Sequence, residues 1–412
     1  MPLVSLREVP PQQLVVGIDV GKVRHRVLLA SGECGVIGAP RSVSALRDGL
    51  EELVDLIAAS GCQGPPLIGI EASGALHAAW SRELEDRYPG RVVLFAPSET
   101  TAARTQMGAR RFKSDDADCA ALVWLVRQGG GRPPADLALE ALLAAVRHRD
   151  ALVDARRRLR QQLHAQLHGL CPGLSAPAGQ GRSLKLETPT GRTVLACAAA
   201  FSGRPPTLAS LIARAGGRLR PATAAYWLER WRRLLAPPPD ADLRAQRLER
   251  DLRRFDDLRA TITEHEAVLG TLLEQSAGQV LTSLPGVGVV RAAAFAAHSL
   301  PIERFATAER LYAATGLAPA RYQSVKTDRR QPISRQGLAD HRNALMGIAW
   351  GLSREAPAFR ERHTELVARG MRPIEARVAL ARHACRLCHA LLQRQEPYDD
   401  QRYRQQRHQR GR

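Results

Sequence analysis

A short apolar run holding one glycine and one aspartate, LVVGIDV (14–20), is too short for a helix and predicts a buried strand. VRHRVLLA and CGVIGA follow it and predict neighbouring strands of a meander. Helical periodicity takes over across 43–60, then PLIGIEA reads as another buried strand. A helix from about Ala75 and the strand VVLFA (92–96) come next. SDDADCAALVWLVRQ closes the region as a helix, with Ser114 at its N-cap, where a hydroxyl accepts from an otherwise unpaired backbone N–H.

QGGGRPPAD (128–136) reads as a linker by its glycine and proline content. Beyond it, 138–170 predicts one long helix carrying Arg156, Arg157, Arg158 and Arg160, and a Gly/Pro/Ser-rich loop occupies 171–191. Helical material continues to a second punctuation at LAPPPDAD (235–242). Between Leu243 and Leu273, the residues Leu248, Leu252, Phe255, Leu258, Ile262, Leu269 and Leu272 recur at steps of three, four or seven. That spacing makes one apolar helical face, hence a helical hairpin or coiled coil. The expected divisions are 1–130, a helical middle over 131–279, a mostly helical unit over 280–395 and a basic tail over 396–412.

A chain of 412 residues exceeds one ordinary core, which agrees with several domains. Lysine and arginine total 60 against 41 acidic residues, a formal net charge of +19. Such an excess favours polyanions through counterion release, and nucleic acid is the commonest of them. Aromatics are only 4%, which does not support binding by rows of stacked bases. Seven scattered cysteines do not make a disulfide framework and point to a reducing compartment. MPLVSLREVPPQQ lacks the form of a signal peptide, and no stretch approaches a membrane span, so a cytoplasmic, soluble protein is expected.

The order of strands and helices over the first part resembles a ribonuclease-H-like α/β domain. Asp19 is expected in the middle of its first strand and Glu71 at the end of its fourth, while Asp115 and Asp118 lie three apart, on one face at the start of the last helix. In that arrangement the three places converge at one edge of the sheet. Four carboxylates there repel unless divalent cations neutralise them, and hard oxygen donors suit Mg2+. Paired cations roughly 4 Å apart stabilise both oxygens of a phosphodiester displacement. Singly, each acid is ordinarily a turn residue, a cap or a solvated group; the apolar surroundings of Asp19 and Glu71 argue otherwise, because unpaired buried carboxylates are costly. GIDVGK also resembles the first phosphate loop of actin-like kinases, but neither their second Asp-Gly-rich loop nor their adenosine motif is found.

SLPGVGVVRAAAF (283–295) has the form of a helix-hairpin-helix, in which Gly286 and Gly288 permit a tight turn whose N–H groups face a phosphate. Next, Ser324 is expected in a polar loop with Arg321, Lys326, Arg329 and Arg330, cations suited to holding a scissile phosphate. A loop serine is ordinarily just that, and Ser334 is equally eligible on chemistry. HACRLCHA (383–390) holds a C-x-x-C-H string inside a helical stretch and is read as helix packing.

VGIDVGK, IGIEASGALH, KSDDADCAALV, LPGVGVVRAAAF, and GLAPARYQS followed by ISRQG together resemble the DEDD-type insertion-sequence transposases. These pair a RuvC-like N-terminal domain with a C-terminal serine transposase domain. The resemblance implies Asp19, Glu71, Asp115 and Asp118 as a metal-binding tetrad. It also implies Ser324 as nucleophile, since the family's serine follows an Arg-Tyr pair, here Arg321-Tyr322. Val325 stands where the family commonly has glycine, and Ser334-Arg335-Gln336-Gly337-Leu338 replaces its usual SKxGN.

Members of that class move their element with the help of a structured guide RNA, the bridge RNA, which pairs with donor and target DNA. The resemblance thus implies DNA and RNA partners, with Arg156, Arg157, Arg158 and the rest of the basic middle region holding RNA backbone. It also implies a homo-oligomer, a dimer or tetramer, for which the 243–273 helix is the expected contact, at the nucleoid of a bacterial cytoplasm. Because the carboxylates and Ser324 fall in different divisions of the chain, an active site assembled across subunits is one arrangement open to it. A junction endonuclease using water and a non-catalytic nucleic-acid-binding protein are the rival readings.

Overall fold

The computed structural model describes residues 10, 12–31, 35–108, 114–134, 136–174, 184–200, 206–216, 219–324, 327–334 and 336–404. The chain divides into two compact units, Met1–Asp136 and Leu137–Arg412.

The first unit is an α/β layer structure. β1 (Val15–Asp19), β2 (Arg24–Ser31), β3 (Gly35–Val36) and β4 (Arg41–Ser44) precede α1 (Arg47–Ala59). Then come β5 (Leu67–Glu71), α2 (Ala78–Arg87), β6 (Val92–Phe95), α3 (Pro97–Gln106) and α4 (Asp115–Arg127). The sheet order is β3-β2-β1-β5-β6, with β4 also paired to β2. β2 runs antiparallel to β1, whereas β5 runs parallel to it and β6 parallel to β5. This order fits the expected ribonuclease-H-like arrangement.

Both faces of the sheet are covered, which is why β1 reads as a continuous apolar run rather than an alternation. Val16 and Ile18 join Leu50, Leu53, Trp80 and Leu84 of α1 and α2 on one face. Val15 and Leu28 join Cys119, Leu122 and Val126 of α4 on the other. Gly17 is what lets α4 sit so close: a Cβ there would lie 2.5 Å from the Cys119 carbonyl oxygen.

The sequence reading differs from this unit in three places. Residues 41–44 pair with β2 as a strand, so the helix expected from 43 begins only at Arg47. α3 was not expected: its amphipathic pattern is weak, and it starts on Pro97 with the Glu99 carboxylate accepting from the Ala96 N–H at 2.6 Å. The glycine-rich segment is partly built into the sheet, because Arg132 forms a bridge with Leu94 and Gly131 sits against Val93 and Phe95.

The second unit is almost wholly helical. It contains α5 (Leu137–Leu170), α6 (Pro189–Ala199), α7 (Leu208–Arg214), α8 (Pro221–Arg232) and α9 (Ala241–Glu274). After a short 3-10 turn at Ala277–Ser283 follow α10 (Val289–Ser299) and α11 (Ala308–Ala314). A hairpin of β7 (Pro319–Ser324) and β8 (Thr327–Ile333) leads to α12 (Ala339–Glu355), α13 (Pro357–Ala368) and α14 (Pro373–Arg394).

α5 and α9 pack as an antiparallel pair. Arg149 bonds Glu266, and Gln166 bonds Asp251 at 2.6 Å nearer the other end. Leu248, Leu252 and Phe255 of α9 enter a core with Leu163, Trp227 and Trp231, while Leu269 and Leu273 enter another with Phe295, Ile348 and Phe359. Most of the apolar face expected to join subunits is therefore buried within its own chain.

Candidate active site

Asp19 and Glu71 are brought together by strand register. β1 and β5 are parallel neighbours with Ile18 opposite Ile70, so the two acids end adjacent strands at the same edge of the sheet. Both are half-buried. The Ser73 hydroxyl donates to Glu71 Oε1 at 2.7 Å. Gly21, just past Asp19, closes the turn into β2, where a Cβ would lie 2.3 Å from the Arg24 carbonyl oxygen.

α4 brings the second pair. Ser114 caps it as expected, its hydroxyl accepting from the Ala117 N–H at 3.2 Å. Asp115, Asp116 and Asp118 occupy the first turn, where the partial positive charge of the helix start favours them. They differ in environment. Asp115 is exposed, and Asp116 forms an ion pair with Arg26 at 2.5 Å. Asp118 is only 5% exposed. Its carboxylate meets Arg104 of α3 at 2.5 Å, with both side chains largely shielded from water.

The next residue, Cys119, packs beneath β1: its Sγ approaches the Arg26 carbonyl oxygen at 3.1 Å. Burial pushes this thiol far up, a backbone hydrogen bond from Asp19 opposes the shift, and the Asp19 charge adds to it. The opening turn of α4 thus lies against the end of β1. Among the described residues, no three His, Cys, Asp or Glu side chains are placed to hold a metal ion together. The residue types suit a hard divalent cation, since all four are carboxylates, while the buried one, Asp118, is paired with Arg104. Arg104 and Arg26 escaped the sequence reading. Arg26 lies in β2 opposite Asp19, so strand alternation was the signal for it; Arg104 gave none, because α3 was not expected.

In the second unit, Ser324 does not lie in a loop. It ends β7, opposite Thr327 of β8, and Arg321 and Arg330 are register partners in the same antiparallel hairpin. The β-favouring residues Tyr322, Thr327 and Ile333 explain the strand state that a polar composition concealed. Arg329 lies on β8 opposite Tyr322, whereas Lys326 lies outside the described residues.

Gly286 adopts φ +74° and packs on α12, where a Cβ would lie 2.7 Å from the Gly351 carbonyl oxygen. Its own carbonyl accepts from Arg291 Nη1 at 2.6 Å. Gly288 is the N-cap of α10, with open space beside it. The turn therefore has one face on the core and one side open. Beside it, Trp350 is stacked by Arg291 and Arg354, at 5.1 and 4.8 Å from its ring centre. Cys385 and Cys388 are fully buried, burial pushes the Cys385 thiol up to about 12, and His389 Nε2 lies 2.9 Å from the Phe305 carbonyl oxygen. Those residues pack α14 onto the core.

Arg156 is half-buried and lines the α5–α9 groove, while Arg157 and Arg158 are exposed. No helix among the described residues is long and apolar enough to cross a membrane.

No curated protein sequence matches the chain. Residues 16–172 match the model of the DEDD-type IS110 transposase domain, described as "Transposase". Residues 278–364 match the model described as "Transposase IS116/IS110/IS902 family". The two segments follow in chain order and together cover more than half of the residues, and they place this chain in the IS116/IS110/IS902 family of DNA transposases, enzymes of DNA recombination.

Proposed function

We propose that this transposase moves an insertion sequence with two sets of side chains: Asp19, Glu71, Asp115 and Asp118, which hold Mg2+, and Ser324, which attacks DNA. The observation that carries the reading is Asp118, a carboxylate buried on the first turn of α4 and paired with the Arg104 guanidinium. Asp19 and Glu71 stand at the matching edge of the RuvC-like sheet. Bound there, Mg2+ supplies Lewis-acid stabilisation of charge on phosphate oxygens. Ser73 orients Glu71, and Arg104 pairs with Asp118.

Ser324 Oγ forms a bond to a DNA phosphorus, the bond from that phosphorus to one strand breaks, and the departing DNA oxygen takes up the proton. Attack by another DNA end on the phosphoserine reverses the step, releases the serine and joins the strands. Phosphodiester energy is conserved, so no external energy source enters. The arginines of the β7–β8 hairpin (Arg321, Arg329 and Arg330), with Lys326, hold the phosphate, and the turn at Gly286 and Gly288 holds backbone nearby. A structured bridge RNA selects donor and target, and two or more copies of the chain assemble on them. The dominance of arginine over aromatic residues suits RNA backbone.

The test is a cleavage assay with denaturing detection of protein–DNA adducts. Wild type is expected to give a covalent adduct that Ser324→Ala lacks while still binding DNA. Adduct-free cleavage by Ser324→Ala at the wild-type rate would replace this reading by water-dependent nuclease action.

A further inference from the structure

We propose that Arg26 binds the scissile phosphate at the carboxylate edge of the first unit, and that Asp116 positions it. The inference rests on the reading of Asp19, Glu71, Asp115 and Asp118 as the metal-holding set, and it adds to them a cation of the chain's own.

Strand alternation puts Arg26 among those acids. Successive side chains leave a sheet on opposite faces, and cross-strand partners share a face. In β1, Val15 and Gly17 meet α4, so Asp19 belongs to the α4 face. In β5, Leu67 and Gly69 meet α4, which places Glu71 there too. In β2, Leu28 and Ala30 do the same, and Arg26 shares their alternation as the register partner of Asp19. Cys119 of α4 packs against the backbone at this point, its Sγ lying 3.1 Å from the Arg26 carbonyl oxygen.

Asp116 reaches Arg26 from the first turn of α4, although it stands outside the tetrad. Its Oδ1 accepts from Arg26 Nε at 2.5 Å. That bond does most to raise the proton affinity of Arg26, and nearby charges that include Asp115 add to it. The bond uses Nε, whereas the other donors of a guanidinium sit on its two Nη atoms.

Exposure separates the two arginines beside the acids. The side chains of Arg104 and Asp118 are 12% and 7% exposed, so that pair is closed to a strand of DNA. Those of Arg26 and Asp116 are 29% and 51% exposed, so Arg26 is within reach of one. A group of carboxylates repels a phosphodiester. A guanidinium at its rim offsets the repulsion, and its planar donors match the non-bridging oxygens on which charge grows during transfer. Asp116 holds those donors in one orientation, so less freedom is lost when the phosphate arrives. An ion pair this open to water contributes little to stability, so removing it reads out chemistry rather than folding.

The test uses the full chain and follows cleavage of labelled DNA in Mg2+, thermal unfolding, and DNA affinity by fluorescence anisotropy. Affinity is measured in EDTA and in Ca2+, a hard cation that carboxylate oxygens also accept. Arg26→Ala is expected to lower the cleavage rate about 100-fold while melting close to wild type. Asp116→Ala frees the guanidinium without removing it and is expected to lose about 10-fold. Arg26→Lys keeps the charge but not the fork and is expected to fall between Arg26→Ala and wild type. Arg26→Ala should also weaken DNA binding in Ca2+ and leave it unchanged in EDTA, where the unneutralised acids keep the phosphate away. Cleavage by Arg26→Ala at the wild-type rate, an equal loss of affinity with and without Ca2+, or a collapse of its melting temperature overturns the proposal. Asp19→Ala separates this from the reading it rests on. Wild-type cleavage by Asp19→Ala sinks both, whereas loss of cleavage there with none in Arg26→Ala removes only the role of Arg26.

Discussion

The sheet edge of the first unit and the α5–α9 groove of the second are both places where charge is gathered, with opposite sign. At the sheet edge, Asp19, Glu71, Asp115 and Asp118 outnumber the arginines beside them, and the most buried acid is the one that has captured a guanidinium. In the groove, the arginines outnumber Asp256 and Glu266, and two of them have no acid to pair with. Buried charge is stable only when neutralised, and at the sheet edge Arg104 does this for Asp118.

The comparison breaks most visibly if the acids can be removed without consequence. Asp19→Ala and Asp118→Asn are each expected to lower strand cleavage by roughly 10³-fold, since metal stabilisation of a phosphoryl transfer amounts to several kcal/mol. DNA binding in EDTA should stay as in wild type. Gel assays across a Mg2+ titration measure both.

Arg104→Ala removes the guanidinium paired with the buried Asp118 carboxylate and is expected to destabilise the first unit by about 3–5 kcal/mol, read from denaturant unfolding. Mg2+ should raise its melting temperature more than that of wild type, because the cation takes over the lost neutralisation. An equal response in the two proteins would detach Asp118 from any cation site.

Gly286→Ala asks whether the turn beside α10 is held by packing as well as by any ligand. Its φ of +74° and the 2.7 Å approach to the Gly351 carbonyl oxygen predict a loss of about 1–3 kcal/mol without nucleic acid present. Unchanged stability in urea would contradict that.

The smallest effect concerns how far the positive surplus of the second unit reaches. His341 is pushed down to about 3, by burial first and then by the nearby charges of His298 and Arg304. Its ring lies against Ser299, 3.0 Å from Oγ. Between pH 6.5 and about 3 the unfolded chain binds a proton that the folded chain refuses. Stability from this residue is complete above 6.5 and is lost as pH falls through that window. Melting curves from pH 7 down to 5 should slope less in His341→Gln than in wild type.

The chain's local patterns were enough for much of this. Apolar runs with both faces buried marked β1 and β5, and the Ser-Asp-Asp-Ala-Asp string marked both the cap and the acids of α4. The motifs also pointed to the transposase family that the two matched segments show. These features are local: each is written in a few neighbouring residues whose backbone preferences and burial agree.

Tertiary structure decided the rest. Arg104 reaches Asp118 only because an unforeseen helix, α3, packs on α4, and the apolar stripe of α9 turned inward onto α5 rather than outward to a second subunit. Ser324 moved from an expected loop to a strand end through pairing with β8. Arg156 was separated from its neighbours Arg157 and Arg158 by the facing of one helix. Each of these outcomes depends on a partner far away in the chain, and a partner's identity is fixed by packing geometry that no local run of residues encodes.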